Sequence, residues 1–294
     1  VKGEGVDMEL RSPRQPVSIA HLLTHMSGLT YGESLSPSDH PVDKLYGPLT
    51  DGQTSLTGFV DKLSAIPLRF DPGTNWCYSL ATDVCGALVE IISGQPFSEF
   101  LGDRLFEPLD MSDTSFSISD EKVPRLAANY ERDEDKNLVL VDDPVESIYA
   151  DTRRLQSGGG GLLSTTADYA KFCEMLLGGG KYNGCRIIGD RTLKMMCQNH
   201  LPMNSDLASV AMGSFSETAY EGVGFGLGFA STLSEVKAHI LGEGDFYWGG
   251  MASTIFWVDP RERMFCVFMT QMVPSGTFNF RGQLKSIVYS AIED

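Results

Sequence analysis

After residue 220 the texture of this chain changes, and that change limits the fold more than any other feature. Four short runs, "GFGLGFAST" (224–232), "DFYWGG" (245–250), "STIFWVDP" (253–260) and "RMFCVFMTQM" (263–272), are rich in aromatic and β-branched side chains and are separated by Gly, Pro and Asp-Pro. Such runs read as antiparallel strands, with "WVDPRERMF" (257–265) as a hairpin. The closing "GQLKSIVYSAIED" (282–294) reads as a helix. Upstream, the apolar period is helical. "VSIAHLLTHMSGL" (17–29) has Ser18 as N-cap, Ile19, Leu22 and Leu23 as its apolar face and Gly28 as its stop. "LTGFVDKLSAIPL" (56–68) ends before Pro67. "ATDVCGALVEIISGQ" (81–95) sets Val84, Leu88, Ile91 and Ile92 at helical spacing before Gly94, and "PFSEFLGDRLFEPLDM" (96–111) is a third helix entered through Pro96. A further helix follows a Ser164 or Thr165 cap and begins near Asp168, and another is entered through Asp190. Residues 30–55 and 117–156 read as loops, "ERDEDKN" (131–137) being a hairpin tip or loop. The pattern predicts an α+β fold with helices packed on one antiparallel sheet. It divides into a mostly helical region, 1–220, and strands with a final helix, 221–294.

Composition excludes some partners. A net charge of −16 would be repelled by a phosphate backbone, so nucleic acid is not expected. No run approaches the ~20 apolar residues of a membrane helix. The six cysteines, Cys77, Cys85, Cys173, Cys185, Cys197 and Cys266, form no C-x-x-C pair and several lie in apolar runs. They read as buried free thiols in a reducing compartment, which points to the cytoplasm. The chain opens on Val1, so its targeting is not read from this end.

Several local patterns invite chemistry. "SGGGGLLST" (157–165) lacks the Lys-Ser/Thr ending of a phosphate loop, and its glycines are read as allowing close backbone approach before a helix cap. His21 and His25 are four apart and would share a helix face, but no third ligand is evident, so a hydrogen-bonding role is expected rather than a metal. Asp142 and Asp143 read as a solvated loop. Tyr78 stands between the Asp71-Pro72-Gly73 turn and the start of a helix, a place where a scaffold positions side chains at the edge of a cleft. Alone, a tyrosine there is a packing residue. Its company changes that reading: "HLLTHMSGL", "DPGTNWCYSLATDVCGALVE", "GGGGLLSTTADYAKF" and "YWGGMASTIFWVDP" follow in this order along nearly the whole chain.

This set resembles the serine β-lactamase and penicillin-recognising superfamily, and within it the family VIII carboxylesterases, which look like class C β-lactamases. The resemblance implies a β-lactamase-like fold and no cofactor. It also implies a Ser-x-x-Lys serine that attacks an acyl carbonyl while the lysine and a tyrosine manage its proton. The Tyr-x-Asn motif of the family reads Tyr78-Ser79-Leu80 here, and the Lys-Thr-Gly motif reads Trp248-Gly249-Gly250. Both departures point to the esterase branch. On this reading Tyr78 is the base and the Met251 N–H serves the oxyanion hole. Leu80, Trp248, Gly249 and Gly250 would line the substrate site.

The nucleophile motif belongs upstream of "HLLTHMSGL", where only 17 residues precede Ser18. The matches at Ser119–Lys122 and Ser234–Lys237 are read as chance. The expectation is therefore a chain without the N-terminal helix and first strands of its fold. The complement is present as a separate piece, or the core is rearranged, or the protein is an inactive relative. The leading reading is a serine carboxylesterase for short or medium acyl esters. The alternatives are a non-catalytic ligand-binding relative and a penicillin-binding peptidase or β-lactamase.

Overall fold

The computed structural model describes residues 8–35, 37–47, 49, 55–212 and 217–293. Helix α1 (Ile19–Leu23) is opened by a capping box: the Ser18 hydroxyl accepts from His21 N–H and the His21 ring accepts from Ser18 N–H. It is shorter than its sequence pattern suggests. His25 takes a left-handed backbone, φ 55°, and this ends the helix before Gly28 is reached. Helices α2 (Leu56–Ser64) and α3 (Ala81–Ser93) match the expected segments, α3 ending on left-handed Gly94. The third expected helix is α4 (Phe97–Leu101), which continues as a wider π turn over Gly102–Phe106.

The hairpin around "ERDEDKN" is formed by β1 (Asn129–Arg132) and β2 (Leu138–Asp142). Helix α5 (Thr166–Leu177) is capped by the Thr165 hydroxyl, which accepts from Asp168 N–H. A small hairpin, β3 (Lys181–Tyr182) and β4 (Cys185–Arg186), leads to α6 (Asp190–Cys197) and α7 (Leu207–Val210).

The central sheet is antiparallel and runs in chain order: β5 (Val223–Phe225), β6 (Ala230–Thr232), β7 (Phe246–Gly249), β8 (Ile255–Asp259) and β9 (Met264–Phe268), with α8 (Glu235–Ala238) between β6 and β7. The "WVDPRERMF" hairpin is the β8–β9 pair. Strand β10 (Met272–Val273) leaves this sheet and pairs in parallel with β1, so the upstream hairpin is tied to the C-terminal part. Helix α9 (Phe280–Ser290) follows.

Strand alternation sends side chains to two cores, as the pleat requires. Tyr247, Ile255 and Trp257 pack on one face with Trp76, Leu201, Leu207 and the Leu284–Val288 side of α9. Phe246, Phe256 and Val258 pack on the other with Leu109, Leu193 and the α5 residues Cys173, Met175 and Leu176. A third apolar cluster joins α1, α2 and α3. Helix α9 is pinned by charge as well. Lys285 and Asp245 form a buried pair, and the Tyr289 hydroxyl donates to Asp259 at 2.6 Å. Among the described residues no helix is long and apolar enough to cross a membrane, and all six cysteines are unpaired.

Candidate active site

Tyr78 lies on an extended segment that other parts of the chain hold on both sides. Trp76 N–H donates to Val210 C=O at 2.9 Å, Met212 N–H donates to Trp76 C=O at 2.8 Å, and Cys77 N–H donates to His25 C=O at 2.9 Å. The segment therefore runs straight into α3 with Tyr78 half-buried at the junction.

Aromatic rings converge there. The Tyr78 ring centroid is 5.3 Å from Trp248 at the end of β7, 5.1 Å from Tyr31 and 5.1 Å from His25. Phe225 closes the group, edge-on to Trp248 at 5.4 Å. Burial raises the Tyr78 phenol above its ordinary value; hydrogen bonding from Trp248 and Tyr31 opposes this, and the negative charges of Glu217 and Asp83 add to it. As the site stands, the phenol keeps its proton at neutral pH. His25 is fully buried, and this pushes its imidazole down to about 3, so the ring is neutral. Its Nδ1 lies 3.1 Å from the Ser79 hydroxyl.

The structure thus brings Tyr78 and Trp248 together, as the motif pattern expects. Gly249 carries a different constraint. A methyl group there would overlap the Arg281 guanidinium, which crosses the strand to reach Gly250 C=O at 2.9 Å and Thr254 C=O at 3.3 Å. Arg281 is in turn paired with the buried Glu217 carboxylate at 2.5 Å. The contact is an ion pair and not an aligned hydrogen bond, since Glu217 Oε2 lacks a well-directed donor. Met251 sits on the turn after β7 and is 58% exposed. The turn's own hydrogen bonds use the amides of Gly250 and Ser253. Leu80, by contrast, is only 8% exposed and packs in the α1–α3 cluster beside Leu22, Phe59 and Ala81.

His21 and His25 do not share a helix face. His21 caps α1 and His25 lies beyond its end, so each ring has its own polar partner. No cluster able to hold a metal occurs among the described residues. The two Ser-x-x-Lys matches are not assembled at Tyr78. The Lys122 ammonium goes to Asp113 and to Ser112 C=O. Ser234 caps α8, beyond the end of β6 that lies away from Trp248. Asp142 accepts from the Ser147 hydroxyl, and Asp143 accepts from Val145 N–H.

The glycine run makes the close approach its composition suggests. A methyl group at Gly158 would overlap the Thr82 carbonyl, and Asp83 anchors the loop by accepting from the Ser157 hydroxyl. Sequence reasoning did not single out Tyr31, Thr82, Asp83, Glu217 or Arg281. Thr82 and Asp83 follow Tyr78 within the same motif, whereas nothing in local spacing links Tyr31, Glu217 or Arg281 to it. A separate cleft of about 540 Å³, lined by Ser98, Phe106, Glu107, Phe116 and Gln156 among others, contains neither Tyr78 nor Trp248. The ring cluster is the better candidate, because titratable and hydrogen-bonding groups converge there.

Comparisons with known proteins bear on the family and the fold. Protein Rv1367c of Mycobacterium tuberculosis is 31% identical over 265 residues, 89% of this chain and 64% of its own length. The lovastatin esterase of Penicillium rubens is 29% identical over 275 residues, 86% of this chain and 63% of its own. The chain therefore spans less than two thirds of the length of these curated relatives. Among solved structures, EstCE1, described as a hydrolase with promiscuous acyltransferase activity, superposes with a TM-score of 0.76 at 27% identity, covering 94% of this chain and 72% of its own. A family model described as Beta-lactamase matches residues 8–285, and the chain belongs to that family, within the serine β-lactamase and penicillin-binding-protein superfamily.

Proposed function

We propose that this chain carries the tyrosine and the oxyanion strand of a serine carboxylesterase acting on short or medium acyl esters. The acylated serine and its lysine come from polypeptide outside these 294 residues. The observation that carries the reading is the seating of Trp248 against Tyr78, their ring centroids 5.3 Å apart. The esterase named among the relatives and the hydrolase among the structures support it.

The chemistry follows from the groups. Serine is a weak nucleophile until a base takes its proton. Tyr78 can take it only as phenolate, and burial opposes that state. A lysine ammonium beside the phenol would lower its pKa, which is the part the missing partner supplies. As the serine oxygen bonds to the ester carbonyl carbon, the carbonyl oxygen gains negative charge and receives the Met251 N–H. Tyr78 passes the proton to the departing alkoxide, which leaves as the alcohol. Water then attacks the acyl-serine by the same route in reverse. Trp248 in place of a cation offers a substrate carboxylate no charged partner, and Leu80, buried in the α1–α3 cluster with Leu22 and Phe59, presents no side-chain amide to it. An unpaired polar group costs ~1–3 kcal/mol on binding. A short neutral ester has no such group to lose, and the indole covers its apolar part.

The test is kcat/KM for p-nitrophenyl butyrate and for a cephalosporin on one preparation of the enzyme containing this chain, beside Tyr78→Phe. Expected are a wide preference for the ester and a fall in kcat of roughly 10²–10⁴-fold in the variant. The isolated chain should give no burst of nitrophenol. Comparable efficiency on the cephalosporin, or a fully active Tyr78→Phe, overturns the proposal.

A further inference from the structure

We propose that Tyr31 is a positioning residue for Tyr78. Placed beside Thr82 and beneath Gly159, its hydroxyl donates a hydrogen bond to the Tyr78 oxygen and stabilises the phenolate. The inference rests on the reading of Tyr78 as the base.

Geometry comes first. The Tyr31 and Tyr78 rings are 5.1 Å apart and inclined at 51°, so the two phenols are direct neighbours. A β-carbon placed on Gly159 would stand 3.0 Å from the Tyr31 hydroxyl and 3.0 Å from the Thr82 hydroxyl, which puts those two oxygens together beneath the loop. The loop is held there. Asp83 accepts from Ser157 and from Gly159 N–H at 3.4 Å, and any side chain at Gly158 would meet the first turn of α3. The phenol of Tyr31 is thus enclosed, with little room to turn away.

The electrostatics favour this direction: the contact with Tyr31 lowers the Tyr78 pKa and raises that of Tyr31, while Thr82 acts to lower that of Tyr31. Trp248, whose ring lies 5.3 Å away on the sheet side, also acts to lower the Tyr78 pKa. Tyr31 on the α3 side and Trp248 on β7 therefore flank the Tyr78 phenol, while the charged groups acting on it, Glu217 and Asp83, are both anionic. The neutral His25 ring packs beneath. In such a setting a phenolate without donors would be strongly disfavoured, and each donor reduces the burial penalty that a neighbouring lysine ammonium has to offset. A packing role alone would need the Tyr31 ring and not its hydroxyl.

The experiment reads ionisation directly in this chain and needs no turnover. 3,5-Difluorotyrosine is placed at position 78, so that its phenol titrates in an accessible range, and the titration is followed by 19F NMR. Tyr31→Phe keeps the ring contact and removes the donor. The ionisation constant at position 78 should fall about tenfold, the scale of a hydrogen bond to a charged group. Thr82→Val, which removes the hydroxyl behind Tyr31 and leaves Tyr31 itself, should move it in the same direction by less. Unchanged titration in the folded Tyr31→Phe chain, or a shift to lower pKa, overturns the inference. If Tyr31→Phe does not fold, an unchanged Thr82→Val titration overturns it. An esterase that tolerates Tyr78→Phe would instead sink the reading of Tyr78 as the base, so the two failures are distinguishable.

Discussion

His25 shows what one buried residue contributes. Its ring lies against Tyr78, Trp76 and Phe225 and touches the Ser79 hydroxyl, and burial holds its pKa near 3, against an ordinary 6.5. The folded protein therefore binds this proton more weakly than the unfolded chain does. The resulting stabilisation is complete above about pH 6.5 and is lost as pH falls toward 3. The urea midpoint should drop between pH 6.5 and 4.5, above the range where most carboxylates titrate. His25→Asn suits the left-handed backbone and can still reach Ser79. It should lack most of that slope, and an equal slope in the variant would mean that another group titrates.

At the scale of elements, the end of β7 depends on α9. Arg281 projects from α9 across Gly249, holds the carbonyls of Gly250 and Thr254, and is neutralised by Glu217. The turn bearing Met251 is thereby fixed from a helix that contributes no reacting group. Gly249→Ala would push the guanidinium off this seat. In the active enzyme kcat should fall, up to the roughly 10²–10³-fold that loss of one oxyanion donor costs, with far-UV circular dichroism unchanged. Normal turnover in Gly249→Ala would show that the turn holds its shape without Arg281.

Across the whole molecule, the sheet lies between two cores and α9 is bound to it by the buried pair Lys285–Asp245, with Thr232 donating to Asp245 at 2.7 Å. The Lys285 ammonium also lies 4.5 Å from the centre of the Tyr247 ring. Lys285→Met would leave a buried carboxylate without its counter-charge, which typically costs ~3–5 kcal/mol. Adding Asp245→Asn should restore part of that. Chemical denaturation of the single and double variants measures both, and a single variant within 1 kcal/mol of the parent (about the value of one neutral hydrogen bond) would show that the pair does not pin the helix.

What the sequence by itself determined was local. Strand alternation placed the β8–β9 hairpin, helical spacing and Gly94 bounded α3, and the Ser164-Thr165 pair marked the neighbourhood in which α5 starts, because these signals repeat within a few residues. The order of motifs, with Tyr78 and Trp248 among them, was legible for the same reason, and it sufficed for the family. The tertiary structure decided the rest. It took His25 out of α1, sent Leu80 into the α1–α3 core, laid Arg281 over Gly249 and set Tyr31 against Tyr78. Each of these is a contact between distant segments made in a packed interior, and such contacts leave no period in the chain that a reader of residues could follow.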